Sequence, residues 1–425
     1  MTAVLATADS FHPAFPDRSV PNIAYGSSSF SQLCAQHVSR TLGCRRAYII
    51  ASTSLAKNTP HLTNLVSTLE QSGITVVRAR TGFSPHTKWD QVIACSADAR
   101  PLRPDCIITL GGGSLTDAAK VICWMLAQPS SIDSISGLET MSEHGYPETF
   151  NHNLNPPTVK HVAIPTTLSG GEYQSISGMT RTDITNGESV QRKVLFSPPE
   201  ANPTLVILSP SLTLTTPLHT WLSTGVRALD HCVETLCSLL SNPKGDASAV
   251  EGLKLLIPGL LGTRADPEGP EARFQCMLGV IQAMSAVGTG VPMGASHAIG
   301  HQLGPLGVGH GETSCVLLPS VCKWNHKVGA NVERQERARE LLLKIDAVVD
   351  VLTKADGKGK ERDLGDILDI VIRALGMPRS LRDVGVGREQ LDMLARNSLK
   401  DHWIMTNPKP IDQKEWVMEI LEMAF

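Results

Sequence analysis

A glycine-rich run is the strongest chemical signal in this sequence of 425 residues. The run, Gly111-Gly112-Gly113-Ser114, follows a strand-like stretch at residues 105–110 and opens a helical pattern. Glycines let the backbone approach a ligand closely, and the amides and dipole at the start of a helix favour the negative charge of a pyrophosphate. Its position between a strand and a helix predicts a dinucleotide site; the alternative is a plain turn in which a hydroxyl side chain caps the helix.

Histidines in the second half of the chain are candidates for metal binding or proton transfer. His297 and His301 are four residues apart and so share one face of a predicted helix, while His231 precedes them and His310 follows in a glycine-rich turn. Imidazole binds metals and titrates near neutral pH, which suits both tasks. The alternative for any single histidine is a purely structural role.

The composition narrows the class of protein. A hydrophobic fraction of 41% and a charged fraction of 19% are typical of globular proteins. The formal net charge of −3, without a long basic run, favours a small-molecule partner over nucleic acid or a membrane surface. The ten cysteines form no CxxC pair, and the N-terminus lacks the features of a signal peptide, so we expect reduced thiols and a cytoplasmic location.

The hydrophobic pattern predicts two domains. In the first half, β-branched runs alternate with helical patterns, which is typical of a parallel sheet covered by helices. The predicted strands are 47–50, 75–77, 106–110, 161–164 and 204–208, and the helices between them include 62–71, 89–97 and 117–126. From residue 212 onward the predicted helices are 220–240, 247–261, 273–287, 331–354, 364–375 and 389–395. We therefore predict an α/β, Rossmann-like dinucleotide-binding domain at 1–210 and an all-helical substrate and catalytic domain at 211–425.

The motif GGGSxxDxxK, at residues 111–120, resembles the cofactor signature of the iron-containing alcohol dehydrogenase superfamily, whose relatives include glycerol dehydrogenase and dehydroquinate synthase. A second segment, PTTLSGGE at 165–172, is similar to the segment that lines the nicotinamide in that family, and its continuation is similar to the maleylacetate reductases. The resemblance covers the chain from about residue 22 and implies the dehydroquinate synthase-like fold. It implies a cofactor site formed by Gly111, Gly112, Gly113, Ser114, Asp117, Thr166, Thr167, Ser169 and Lys193.

The same resemblance places Arg227 where the metal-dependent members have an aspartate ligand; the remaining ligand positions are His231, His297 and His310. A guanidinium only donates hydrogen bonds and repels a divalent cation, which argues against an Fe or Zn site. If a metal is bound, those three histidines are its candidate ligands. Maleylacetate reductases usually have Asn at this position, and several are thought to work without metal.

Our hypothesis is that Arg227 replaces the cation and binds a substrate carboxylate or polarises a carbonyl oxygen, with the three histidines contributing to the positive charge. The alternative is that Arg227 only pairs with Asp230 or Glu234. Asp230 precedes His231 by one residue and points about 100° away from it on a helix, so it is a poor replacement ligand. His301 stands where the family has a histidine near the nicotinamide, and it is the candidate proton donor.

The predicted function is an NADPH- or NADH-dependent oxidoreductase that reduces a small carbonyl or an unsaturated oxo acid, as maleylacetate reductases do, without a catalytic metal. No carboxylate stands at Ala51, Ser52 or Thr53 after the first predicted strand, so NADPH should be tolerated. The resemblance further implies a homodimer. The alternatives are a non-redox lyase, isomerase or cyclase on the same fold, a metal-dependent alcohol dehydrogenase, and an inactive binding protein.

Overall fold

The computed structural model describes residues 8–84, 86–143, 154–185, 188–196, 200–356 and 361–425. These residues divide into two compact units, one that ends at Thr215 and one that runs from Thr216 to Phe425. The first unit combines a β-sheet with helices, and the described part of the second unit contains only helices and turns. The predicted α/β and all-helical fold class is therefore confirmed.

The first unit contains a sheet and a separate hairpin. Its strands are β1 (Ser10–Pro13), β2 (Asn22–Tyr25), β3 (Arg46–Ala51), β4 (Thr75–Arg80), β5 (Cys106–Gly111), β6 (Lys160–Pro165), β7 (Ser177–Thr185), β8 (Glu188–Phe196) and β9 (Leu205–Ile207). Among the described residues the sheet has seven strands in the order β1-β2-β9-β6-β5-β3-β4, and every neighbouring pair except β1–β2 is parallel. Strands β7 and β8 form the antiparallel hairpin.

The central strands are buried on both faces, as expected for a parallel sheet covered by helices. Along β3, Ala47 and Ile49 pack into the core on one side of the sheet, while Tyr48 and Ile50 pack into the core on the other. Side chains alternate between the faces of a strand, so one apolar run supplies both cores. The last paired residues of β5 and β6 are Gly111 and Pro165, which brings the two predicted cofactor segments to the same edge of the sheet.

Helices cover the sheet and build the whole second unit. The helices of the first unit are α1 (Phe30–Gln36), α2 (Thr53–Asn58), α3 (His61–Gln71), α4 (Trp89–Leu102), α5 (Gly113–Leu126), α6 (Ile135–Glu143) and α7 (Pro210–Thr213). Those of the second unit are α8 (Leu218–Cys237), α9 (Pro243–Ala265), α10 (Pro270–Val287), α11 (Ala295–Leu303), α12 (His310–Lys327), α13 (Val332–Leu342), α14 (Asp346–Asp356), α15 (Leu364–Ala374), α16 (Leu391–Ser398) and α17 (Lys414–Met423).

The prediction of a single helix over 331–354 was wrong. The chain forms α13 and α14, and between them Lys344 and Ile345 donate to carbonyls three residues earlier instead of four. The apolar pattern continues through this tightened turn because Ile345 and Val348 are both buried, so the sequence shows no break. Strands β1, β2, β7 and β8 were not predicted because they are short or carry polar residues.

Two further observations concern the cysteines and the helices. All ten cysteines lie in the described ranges, carry free thiols and are buried. No helix among the described residues combines the length and the apolar character that crossing a membrane requires.

Candidate active site

The glycine-rich turn joins β5 to α5 at the edge of the sheet. Gly111 has φ +151°, a conformation that favours glycine, and an added Cβ would lie 2.8 Å from a methyl group of Leu115. Gly112 is the N-cap of α5, and no described side chain caps the helix. The first amides of a 14-residue helix are thus left without a side-chain cap, as a bound anion would require.

The second predicted segment packs directly against this turn. A Cβ on Gly113 would lie 2.8 Å from Ser169 Cβ, and one on Gly112 would lie 3.2 Å from Thr167 Cγ2. The hydroxyls of Thr167 and Ser169 are 2.9 Å apart, and the Thr166 amide donates to the Gly111 carbonyl at 3.0 Å. The two segments therefore form one surface of hydroxyls and backbone amides, which fits a dinucleotide pyrophosphate.

A buried lysine, not included among the predicted site residues, fixes the second segment. Lys120 Nζ donates to the carbonyls of Gly171 (3.0 Å), Gln174 (3.3 Å) and Ile176, and it pairs with Asp117 at 3.0 Å. Its side chain is fully buried, so these contacts replace its hydration. The motif contains the lysine, but a single sequence does not show that it binds carbonyls more than 50 residues away.

The remaining predicted cofactor residues lie around the start of the β7–β8 hairpin. The Asp117 carboxylate accepts from the Gly178 amide at 3.3 Å, and a Cβ on Gly178 would lie 2.4 Å from Lys193 Cε. Burial of the His86 imidazole, together with the positive charge of Lys193, lowers the pKa of His86. Asp117 and Lys193 are thus brought together with the glycine turn, although Asp117 acts on Lys120 and the hairpin in the contacts seen here.

The first turn of α5 also anchors an unusual backbone segment. His86 and Thr87 have φ of +65° and +47°, in the left-handed region that non-glycine residues rarely adopt. Thr87 Oγ1 donates to the Ser114 carbonyl at 2.9 Å, and Thr180 Oγ1 donates to the His86 carbonyl at 3.0 Å. Ser114 is therefore tied to the hairpin through a strained segment, a feature common at functional sites.

In the second unit, α8 carries a buried group of charged residues on one face. Arg227 is 3% exposed, and its Nη1 donates to Ser314 Oγ at 3.1 Å and to Thr313 Oγ1 at 3.5 Å on α12. The same Nη1 lies 3.9 Å from Asp230 Oδ2. Arg227 Nε is buried and has no hydrogen-bond partner among the described residues. The guanidinium is thus held by two hydroxyls and a nearby carboxylate.

Asp230 and Glu234 connect α8 to α11. Asp230 Oδ2 accepts from Ser296 Oγ at 2.8 Å and from Ser314 Oγ at 2.6 Å. The two oxygens of Glu234 accept the amides of Gly294 and Ser296, each at 2.9 Å. Oε2 of Glu234 also lies 2.7 Å from His297 Nδ1, and since the carboxylate is already an acceptor, we assign the proton to that nitrogen.

Burial perturbs the acids and the histidine of this group. Burial and repulsion by Glu234 raise the pKa of Asp230, against the effect of Arg227, and burial raises the pKa of Glu234 despite its amide contacts. Burial, together with the charges of His297 and Arg227, holds the pKa of His231 well below its ordinary value. His231 is therefore uncharged at neutral pH and adds no positive charge to the site, contrary to the sequence-based hypothesis.

The potential ligand atoms that the structure brings together differ from the predicted set of His231, His297 and His310. Among the described residues, one group of potential ligands brings its atoms within 4.8 Å of one another, and it consists of Asp230, Glu234 and His297. Glu234 and Asp230 Oδ2 already accept hydrogen bonds, and the Arg227 guanidinium lies beside them. A cation here would displace these donors and face a fixed positive charge, which is unfavourable.

His301 and His310 are connected to His297 through the ring of Trp403. The ring centroids of His231 and His297 are 4.7 Å apart. The ring centroid of Trp403 lies 5.7 Å from that of His297 and 5.2 Å from that of His301. His301 stacks on His310, with ring centroids 6.5 Å apart. The five predicted catalytic residues are therefore members of one continuous group.

Sequence reasoning considered Glu234 only as a possible partner of Arg227, whereas the structure pairs its carboxylate with His297 at 2.7 Å. Two other members of the group were missed. Asp401 and Trp403 lie about 100 residues beyond His301, in a segment without a helical or strand pattern, and no local signal indicates them.

Comparison with known proteins identifies the family. Residues 21–210 match the family model described as iron-containing alcohol dehydrogenase, and residues 221–425 match that of the Fe-containing alcohol dehydrogenase family, C-terminal. The chain belongs to this family and is an oxidoreductase. Members of the family use NAD(H).

Individual relatives are similar over most of the chain. Dehydrogenase FUM7 of Gibberella moniliformis is 36% identical over 432 residues, which cover 97% of this chain and 98% of the relative. Maleylacetate reductase of Rhizobium sp. is 29% identical over 76% of this chain and 74% of its own. The crystal structure of maleylacetate reductase from Agrobacterium tumefaciens has a TM-score of 0.68 at 27% identity and covers 94% of each chain.

The contact between Gly113 and Ser169 gives a direct test of the cofactor surface. We expect Gly113→Ala to weaken NADH and NADPH binding about 10-fold or more, because the new methyl group overpacks the site. Fluorescence titration with each nucleotide measures the effect. Ser169→Gly removes the opposing Cβ, so the double variant should bind nucleotide as well as Ser169→Gly alone. Unchanged binding by Gly113→Ala would contradict this assignment.

Proposed function

We propose that this protein is an NAD(P)H-dependent reductase of a small carbonyl or unsaturated oxo acid, and that it works without a catalytic metal. The observation that carries the proposal is the buried Arg227 guanidinium, which is held by Ser314, Thr313 and Asp230. The resemblance places this residue at a metal-ligand position of the family. In metal-dependent relatives a cation polarises the substrate oxygen. Here a fixed organic cation takes that role.

The first unit binds the cofactor in this proposal. The amides that open α5 and the hydroxyls of Thr167 and Ser169 would hold the pyrophosphate, and Lys120 keeps the second segment against the glycine turn. The bound cofactor supplies a hydride.

NADPH should be accepted as well as NADH. After β3 the chain continues with hydroxyl side chains: Ser52 Oγ lies 3.0 Å from Ser54 Oγ, and Thr53 Oγ1 accepts the Gly82 amide at 3.0 Å. A carboxylate at such a position repels the 2′-phosphate of NADPH, and none is present among these residues.

Arg227 is the proposed anchor for the substrate. Its buried Nε has no partner among the described residues, and an unsatisfied buried donor is costly, so a ligand oxygen at this position would be favoured. The ion pair with Asp230 is long, with 3.9 Å between Arg227 Nη1 and Asp230 Oδ2, so this carboxylate does not fully offset the guanidinium charge. A substrate carboxylate or a carbonyl oxygen can therefore use that charge.

His301 is the proposed proton donor to the reduced substrate, while His231, His297 and His310 line the site as polar groups. A guanidinium is a weaker electrophile than a divalent metal, so an activated substrate such as an enone or an oxo acid suits the site. The similarity to maleylacetate reductases supports this substrate class.

A metal-dependent alcohol dehydrogenase is the second candidate, because Asp230, Glu234 and His297 bring three potential ligand atoms within 4.8 Å. The non-redox alternatives lose support from the named dehydrogenases among the relatives. A cytoplasmic homodimer stays our expectation for the state of the protein in the cell.

Turnover after metal removal tests the proposal. We expect protein treated with a chelator to bind NADPH and NADH and to oxidise one of them in the presence of a panel of oxo and unsaturated acids, followed by absorbance of the reduced nicotinamide. Activity that returns only with added Zn²⁺ or Fe²⁺ would favour the second candidate. Binding without any substrate consumption would support a non-redox enzyme, and absence of nucleotide binding would contradict the proposal.

The anchor role of Arg227 predicts a preference for acids. Arg227→Lys keeps the charge but loses the planar fork, so we expect kcat/KM for an oxo acid to fall about 10- to 100-fold. The uncharged ester of the same substrate should lose much less. Arg273→Met is the control. Arg273 lies on α10 and is about as buried as Arg227, but its guanidinium packs over the Trp221 ring. Equal losses for acid and ester would show that Arg227 does not bind the carboxylate.

A further inference from the structure

A short segment near the C-terminus holds His301 from two sides. After α16 the chain forms a single turn of 3-10 helix, His402–Ile404, and Asp401 caps it by accepting the Trp403 amide on Oδ1 at 3.0 Å. Ile404 is fully buried in the core that includes α11, which fixes the segment against the helix that carries His301.

The second oxygen of Asp401 contacts the histidine. Asp401 Oδ2 lies 2.8 Å from His301 Nδ1, and both side chains are 11% exposed. Burial raises the pKa of Asp401, but the contact with His301 outweighs it, so the net pKa is lowered and the carboxylate is ionised at neutral pH. An ionised carboxylate only accepts, so the proton of the shared hydrogen bond belongs to His301 Nδ1.

Trp403 restricts the same ring from another direction. Its indole lies 5.2 Å from the His301 ring at an interplanar angle of 33°, and 5.7 Å from the His297 ring at 82°. The indole therefore spans the two histidines of α11. With Nδ1 held by Asp401 and one ring face covered, the orientation of Nε2 is determined.

We propose that Asp401 is a positioning residue that fixes the tautomer and orientation of His301 for proton transfer, with Trp403 as its packing support. This inference rests on the proposed function. When the carbonyl carbon gains hydride, the C=O bonding pair moves to oxygen, and that oxygen takes the proton from His301 Nε2. The neutral imidazole that results keeps its proton on Nδ1, where it donates to the Asp401 carboxylate, and Nε2 takes up the next proton from bulk solvent.

Asp401→Asn separates this role from simple capping. The asparagine oxygen can still cap the turn, but its amide group donates toward His301 and favours the wrong tautomer. We expect kcat to fall about 100-fold or more, within the usual contribution of a general acid, while KM and the nucleotide dissociation constant change little. Asp401→Glu should recover part of kcat, and Asp401→Asn should add no further loss to His301→Asn.

The control is Asp392→Asn, a carboxylate on α16 that pairs with Lys414 and Arg396 outside the site and should leave kcat unchanged. Thermal melting of each variant checks that it is folded. If Asp401→Asn keeps kcat within about twofold while His301→Asn is impaired by the amount expected of a general acid, the positioning role is wrong.

Nitrogen NMR of the histidine side chains tests the inference even if the proposed function fails. The expected result is the Nδ1–H tautomer of neutral His301 in the wild-type protein and the Nε2–H tautomer in Asp401→Asn, with the His301 signals assigned by their loss in His301→Asn. The same tautomer in both proteins would overturn the proposal. A wild-type protein that shows the expected tautomers but reduces no substrate would contradict the proposed function alone.

Discussion

The second unit is organised around the charge of one buried guanidinium. Arg227 has lost almost all contact with water, and Ser314 links it to Asp230 by accepting from the guanidinium and donating to the carboxylate. Asp230 in turn binds Ser296, next to His297. Because a buried charge must be compensated, the polar contacts that join α8 to α11 through Ser296 and to α12 through Ser314 depend on this group.

In the first unit the corresponding constraint is the close approach of two backbone segments. The glycine turn and the segment that carries Thr167 and Ser169 meet at distances that leave no space for a Cβ on Gly113. Lys120 gives up hydration to bind the carbonyls that follow, and this fixes the second segment without a side chain on the turn itself. The amides at the start of α5 stay available for a ligand.

Much of this was predictable from local patterns. The alternation of apolar runs predicted five of the sheet strands, and strand–turn–helix order located the glycine turn. The arrangement around Arg227 was not predictable, since its partners Ser314 and Thr313 are almost 90 residues away and leave no periodic signal. The helix break before Asp346 was hidden because burial of Ile345 and Val348 continues the apolar pattern.

A calorimetric titration of Zn²⁺ into chelator-treated wild-type protein and into Arg227→Asp tests most directly whether Arg227 replaces a metal. The resemblance implies an aspartate ligand at this position in metal-dependent members, together with the positions of His231, His297 and His310. We therefore expect Arg227→Asp to bind about one Zn²⁺ per chain, whereas wild-type protein binds none stoichiometrically. Arg227→Met, which removes the charge without adding a ligand, should not bind Zn²⁺ either. Stoichiometric, tight Zn²⁺ binding by the wild-type protein would contradict the claim that Arg227 replaces the metal.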